Sequence, residues 1–509
     1  MKKQLISILF VFLSSMYFIS CSKDFLNVPV QGQITPDSDP ALAEKLVNGV
    51  YNSLLNGEAF GGQGDIHGIS FITLTEIISD NADKGSTPSD QPGIGDIDNL
   101  NLSPTNNFIA AVWTGYFNGI ARANQALAAL DKSNIDDKTK QKYIGEVKFL
   151  RAYFYFNLTR WFGKLPKILR VAVDATDANT NPTFQTRVSV DEIYALIIED
   201  LQAGIENLPL RSGTAVGRIS KGTAQALLAK VYLYKKDWQK AYDLANEVIN
   251  SGQYNLVTDY TKLWRQEDDN STETIFEVQT GQNNNTDFGV QGYCVWQGVR
   301  VGGKGGWSDL GYGFNNPSVN LINSYEPDDI RKSSTIIFID QSAEHHGTVL
   351  FDGFRVPSAD SVQNLYYNYK AYHSENKNVE RFLGNRDNKQ KNLHLLRLGD
   401  VILMAAESAN ELDNQGEAAD RLNQIRSRVG LANTTASGKS ALREAIYKER
   451  RVELAMEHDR WFDLIRTGKA KEAMTANGKT FVEGKNELLP IPSLQIALSG
   501  GKLDQNPGY

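Results

Sequence analysis

The chain has 509 residues, 41% hydrophobic and 22% charged, a balance that excludes wholesale disorder and the fibrous classes. Lys and Arg number 53 against 60 Asp and Glu, for a net charge of −7 with no basic run, so no nucleic-acid partner is expected. Cys21 and Cys294 are too few for a disulfide framework, and the length exceeds what one compact core usually serves, so more than one sub-structure is expected.

Residues 1–20 read as an export signal. Lys2-Lys3 form a positive start, and residues 5–19 are apolar apart from Ser7, Ser14 and Ser15. The stretch is too short and wrongly flanked for a membrane span. Ser20 is suitably small for cleavage just before Cys21, whose thiol would then carry the lipid; Phe18 departs from the usual Leu. The alternative is an ordinary signal peptide without lipid. Acyl chains on Cys21 would anchor the mature protein, each buried methylene contributing ~0.8 kcal/mol. Ser22-Lys23-Asp24 resembles the tether that sends some lipoproteins to the cell exterior. No later segment approaches ~18 uninterrupted apolar residues.

Two long helices follow. Ile109, Val112, Trp113, Tyr116, Ile120, Ala123, Leu127 and Leu130 form one apolar stripe. Tyr143, Val147, Leu150, Phe154, Leu158 and Trp161 form another, ended by Gly163 and Pro166. A third helix is predicted over 190–207, with Asp191 near its start and Pro209 stopping it. Next, Ala224, Leu227, Leu228, Val231 and Tyr232 recur at helical spacing. Asp237 breaks the pattern, and Ala241, Leu244, Ala245, Val248 and Ile249 repeat it. A helix, a tight turn and a helix with small Ala229 and Ala241 at the contact is the pattern of a tetratricopeptide unit. Residues 395–429 form a similar pair, with Asn414-Gln415-Gly416 as its turn. Between the helices lie Gly-, Asn- and aromatic-rich insertions at 56–106 and 251–394, with short strands predicted at 274–278 and 334–339. The predicted organisation is a signal peptide at 1–20, a helical part at 21–250, a loop-rich recognition region at 251–394 and a closing helical part at 395–509.

Catalytic signatures are missing: there is no HExxH, GxSxG or P-loop, and Gly302-Gly303-Lys304-Gly305-Gly306 lacks Walker spacing. Adjacent side chains on an extended segment would point apart, so His345-His346 is expected to be an exposed polar pair rather than a metal site, and Asp80, Asp83, Asp96 and Asp98 do not match a calcium-loop motif. Glu449, Glu453, Glu457 and Asp463 alternate with Arg450, Arg451, Arg460 and Arg466, which reads as helix ion pairing rather than acid–base chemistry. Trp461, beside this cluster, is expected to be buried and structural. No catalytic residue, metal or cofactor is expected. What remains is a run of rings on glycine-loosened loops: Tyr293, Trp296, Trp307, Tyr312 and Phe314. Flat rings stack on the apolar faces of sugars while polar side chains bond the hydroxyls. Trp296, Trp307 and Tyr312, with Tyr293, are therefore the candidate ligand-binding residues, the alternative being that the rings fasten the loops to the helical scaffold, and Asp80 and Asn81 are weaker polar candidates.

Several pieces then fall in a specific order. They are Cys21 with Phe25-Leu26 and Pro29, Arg122-Ala123-Asn124, Glu146 to Ala152 with Trp161-Phe162-Gly163, and Gly217-Arg218 before the 224–234 helix and Asp237-Trp238. Later come Leu396-Arg397-Leu398-Gly399-Asp400, Ala406-Glu407, Leu422-Asn423-Gln424-Ile425-Arg426, Glu449-Arg450-Arg451, Arg460-Trp461, Asp463-Leu464 and Gln505-Asn506-Pro507-Gly508-Tyr509. From Cys21 to Tyr509 the chain resembles the SusD/RagB family of outer-membrane nutrient-binding lipoproteins. The resemblance implies a mainly α fold: a right-handed helical scaffold with tetratricopeptide-like helix pairs, long inserted loops and a few short strands. It implies a lipid anchor at Cys21, an outer-membrane location facing the cell exterior and a SusC-like TonB-dependent transporter as partner. It also implies no catalytic activity and an oligosaccharide ligand, or an oligopeptide in the RagB branch. A secreted glycosidase is the remaining alternative.

Overall fold

A computed structural model of the chain describes residues 41–57, 64–280, 292–302, 310–339, 348–356, 359–376, 379 and 391–509. The leader, Cys21, Trp307 and His345-His346 lie outside the described residues. Ten helices of eight or more residues occupy the described chain: α1 (Leu42–Ser53), α2 (Asn107–Lys132), α3 (Asp137–Phe162), α4 (Val190–Asn207), α5 (Lys221–Lys235), α6 (Trp238–Ile249), α7 (Leu398–Glu411), α8 (Gln415–Arg428), α9 (Lys439–Glu453) and α10 (Arg460–Thr467).

From α1 to α8 each helix packs on its successor, and α9 packs on α7 and α8. The α6–α7 contact spans everything between Ile249 and Leu398, so the helical scaffold is continuous although the insertion separates its halves in sequence. The helix limits follow local chemistry. Asp136 caps α3 by accepting from Thr139 N, and Gly163 ends it at φ +72°, a conformation that favours glycine. Ser189 and Glu192 form a reciprocal capping box on α4. Asp237, read from the sequence as a pattern breaker, is the N-cap of α6 and accepts from Lys240 N. Ala229 and Ala241 are fully buried, as close packing of α5 and α6 requires.

The strands pair in three antiparallel ribbons. β1 (Ala82–Gly85) pairs with β3 (Phe314–Pro317), β2 (Thr274–Val278) with β6 (Leu393–Arg397), and β4 (Ile336–Phe338) with β5 (Tyr366–Asn368). The first predicted strand is found as drawn. The second shortens to Ile336–Phe338 because Asp329 caps a short helix, Ile330–Thr335, that uses the preceding residues. The ribbon of β1 with β3 joins the two insertions to each other. The 251–394 region also divides: β2 docks on the scaffold, where Phe276 meets Phe149 edge-on at 5.5 Å, while Val299, Ile337, Ile339, Leu350 and Tyr367 form a small core of their own.

The charged run of α9 and α10 forms ion pairs, as expected, and belongs to a larger buried network. Arg450 bridges Asp400 (2.5 Å) and Asp463 (2.7 Å). Arg397 reaches Glu273 (2.8 Å), Glu453 (2.6 Å) and Glu457 (2.7 Å). Arg331 holds Asp329, Glu449 and Glu453. Burial pushes the Glu453 carboxyl upward, but Arg428, Arg397 and Arg331 outweigh it and hold the group well below the usual carboxylate range.

Candidate functional site

Glycines bring the candidate rings together by letting two backbones cross. Residues 295–301 and 310–314 run so close that a Cβ on Gly298 would strike the Leu310 carbonyl, and one on Gly311 would strike that of Val295. Backbone bonds lock the crossing: Tyr312 N donates to Val295 O at 2.8 Å and Gly313 N to Gly298 O at 3.0 Å. From the sequence these glycines are expected to loosen the loops that carry the rings. In the structure they serve close backbone approach, and the rings follow from it.

Trp296, on the short helix Gly292–Gln297, then lies 5.0 Å from Tyr312 between ring centroids, with 33° between the planes. Phe314 stands behind Trp296 at 6.3 Å. Trp296 and Tyr312 are half-buried, whereas Phe314 is buried. The turn after β1 borders this pair. Ser86 N donates to Gly313 O at 2.6 Å, and Gly313 takes φ +74° beside Arg300, Asn364 and Ser86. Arg300 donates to the Ser86 hydroxyl (2.7 Å) and ion-pairs with Asp90, and the hydroxyl donates to Asp90 (2.7 Å). The Ser86 bond first, against burial and with the help of Arg300, holds the Asp90 carboxyl below its ordinary value. Lys84 Nζ donates to the Thr87 and Pro88 carbonyls. The half-buried ring pair, packed on the main core, is thus followed at once by a turn at Gly313 that carries a guanidinium, a carboxylate and a carboxamide, an arrangement that can offer a flat polar ring both stacking and hydrogen bonds.

The other candidates are placed differently. Tyr293 is buried, and its hydroxyl donates to His458 Nε2 at 2.8 Å, so it does not belong to an exposed face. Asp80 and Asn81 are also buried. Asp80 accepts from Nε and Nη2 of Arg460 (2.7 and 2.8 Å) and pairs with Arg451 (3.0 Å), and Asn81 accepts from Arg451 at 2.9 Å. Their oxygens tie the first insertion to α9 and α10. Asp98, considered for calcium, pairs with Lys479 at 2.5 Å.

Sequence reasoning missed two features. A cleft of about 770 Å³ lies in the insertion, where Arg265 sits flat over Tyr369 (4.1 Å) and Phe351 (4.5 Å), and it shares no lining residue with the ring pair. Only Phe351 among those rings is well exposed, and scattered single aromatics leave no sequence pattern. Asp269, Glu277 and His394 place ligand atoms within 4.8 Å of one another. The Glu277 carboxylate there already accepts from Asn270 N, Thr274 Oγ1 and Asn392 Nδ2, which satisfies it without a cation.

Comparisons with known proteins match this architecture. A profile of the SusD family matches residues 272–509, and a second profile, described as starch-binding associating with outer membrane, matches residues 25–233. SusD-like protein P2 of Formosa agariphila is 28% identical, covering 100% of both chains. A solved laminarin-binding SusD-like protein is 29% identical, with a TM-score of 0.75 over 92% of this chain and 99% of its own. A SusD superfamily protein from Parabacteroides distasonis is 28% identical, with a TM-score of 0.75 over 94% of this chain and 100% of its own. With two profiles that together span both halves of the scaffold, and with the same fold in these relatives, the chain belongs to the SusD family.

Proposed function

We propose that the protein is a non-enzymatic receptor that captures oligosaccharides and delivers them to a SusC-like TonB-dependent transporter. The observation that carries this reading is the half-buried pair Trp296–Tyr312 next to the Gly313 turn that Arg300, Asp90 and Asn364 flank. Trp and Tyr lose little conformational entropy on binding and present apolar faces to the C–H face of a sugar. Asp90, the carboxylate beside the rings, is engaged by Arg300 and Ser86 and serves recognition better than proton transfer. The laminarin-binding relative supports a glycan ligand and supplies the probe.

Trp296→Ala and Tyr312→Ala each weaken laminarin binding by about 2 kcal/mol, roughly thirtyfold, in titration calorimetry. Their melting temperatures stay closer to wild type than that of a core truncation, because both rings are only half-buried where they pack on the main core. Trp307→Ala is expected to behave in the same way. Normal binding by all three variants would remove the aromatic platform from the reading, as would loss of folding in all three. Binding of oligopeptides in place of glycans would move the protein to the peptide-capturing branch.

Location follows from the leader. Cys21→Ser abolishes labelling by a radioactive fatty acid and releases the protein from the outer-membrane fraction. A Ser variant that stays labelled and membrane-bound would disprove the anchor.

A further inference from the structure

The helix Gly292–Gln297, which presents Trp296, is only six residues long, too short to hold its own shape in water. Two buried fastenings hold it. At one end Tyr293 donates to His458 Nε2. The direction of that bond can be assigned from its surroundings. Thr75 Oγ1 donates to the Phe71 carbonyl at 2.6 Å, so it can only accept from His458 Nδ1, 3.0 Å away. His458 therefore carries its proton on Nδ1 and offers Nε2 as an acceptor to the tyrosine. Burial, then the neighbouring His67, depress the pKa of the ring to about 3, which keeps it neutral. His458 also takes φ +73°, a strained conformation for a residue with a side chain, and one that persists where the surroundings over-determine it.

At the other end the buried Gln297 Oε1 accepts from Asn315 Nδ2 and Asn368 Nδ2, both at 2.7 Å, and Gln297 Nε2 donates to the Tyr293 carbonyl at 3.1 Å. Asn315 is on β3 and Asn368 on β5. The helix is thus pinned between the segment after α9 and two of the ribbons, and Trp296 lies between the pins.

We infer that Tyr293 and Gln297 are positioning residues for Trp296, with His458 as the fixed acceptor that sets the orientation of the helix. Neither side chain touches ligand; each acts through the indole. This rests on the reading of the ring pair as the ligand face, so the test separates the two.

Tyr293→Phe keeps the ring and removes only the donor. It weakens laminarin binding about fivefold, the worth of one buried hydrogen bond. It also shifts the Trp296 fluorescence, obtained by subtracting spectra recorded in a Trp296→Phe background. In a double-mutant cycle, Tyr293→Phe adds nothing to the affinity loss of Trp296→Ala. Gln297→Met gives the same emission shift from the other pin, and it decides the matter should Tyr293→Phe fold poorly. Equal weakening by Tyr293→Phe with and without the indole would overturn the inference. If Trp296→Ala binds laminarin like wild type, the ligand reading fails, and the emission alone decides the positioning: a shift upholds it and an unchanged spectrum rejects it.

Discussion

Arg397→Met destabilises the protein by about 3–5 kcal/mol, read as a lowered midpoint in urea unfolding at neutral pH. Arg397 is 2% exposed and lies at the junction of β6 and α7. Its Nη1 donates to Glu273 (2.8 Å) and Glu453 (2.6 Å), its Nε to Glu457 (2.7 Å), and its Nη2 to the Glu453 carbonyl (2.7 Å). Removing the guanidinium leaves buried Glu273 and Glu453 and half-buried Glu457 sharing one cation fewer, with Arg428 still on Glu273, and the cost arises mainly from that uncompensated charge rather than from the lost bonds. Arg428 and Arg331 still face Glu453, which limits the loss there. Lys370 still faces Glu457 at 2.6 Å. Arg397→Lys keeps one charge but not the planar fork that serves several carboxylates at once, so it recovers only part of the stability. A loss below about 1 kcal/mol for the Met variant would mean that water reaches the cluster and screens it like a surface pair.

The scaffold was legible because its information is local. Apolar spacing gave α2 to α6, and caps such as Asp237 and Asn414 stand where the periodicity breaks. The ion network was half legible: the alternating charges of α9 and α10 are visible in the sequence, but Arg397, Glu273 and Asp400 arrive from other elements. No one-dimensional spacing announces them. The candidate site was less legible. Trp296 and Tyr312 do come together, yet Tyr293, only three residues before Trp296, is buried. Glycine-rich segments lack the alternation that tells an inward from an outward side chain. Asp80 and Asn81 read as polar candidates on the first insertion, and only the third dimension reveals the two arginines, Arg451 and Arg460, that occupy them. Glycines 298 and 311 were read for freedom of φ, whereas their use is the missing Cβ at a backbone crossing.

Trp461→Ala separates scaffold from recognition face most sharply. Trp461 is 2% exposed and belongs to the main core, where its ring meets Phe481 at 6.3 Å. The next residue, Phe462, packs on Trp161 at 5.4 Å, and the Trp161 indole N–H donates to the Leu74 carbonyl at 3.0 Å. Truncation would open a cavity where α10 packs against the segment that follows it. Truncation of a tryptophan this deeply buried in the main core costs about 3–5 kcal/mol, comparable to Arg397→Met. Thermal unfolding should shift sharply downward, while the fraction still folded at low temperature binds laminarin like wild type. Trp296→Ala shows the reverse pattern, with melting better retained and affinity lost. A Trp461→Ala protein with wild-type melting and no laminarin binding would place this indole on the ligand surface instead of in the core.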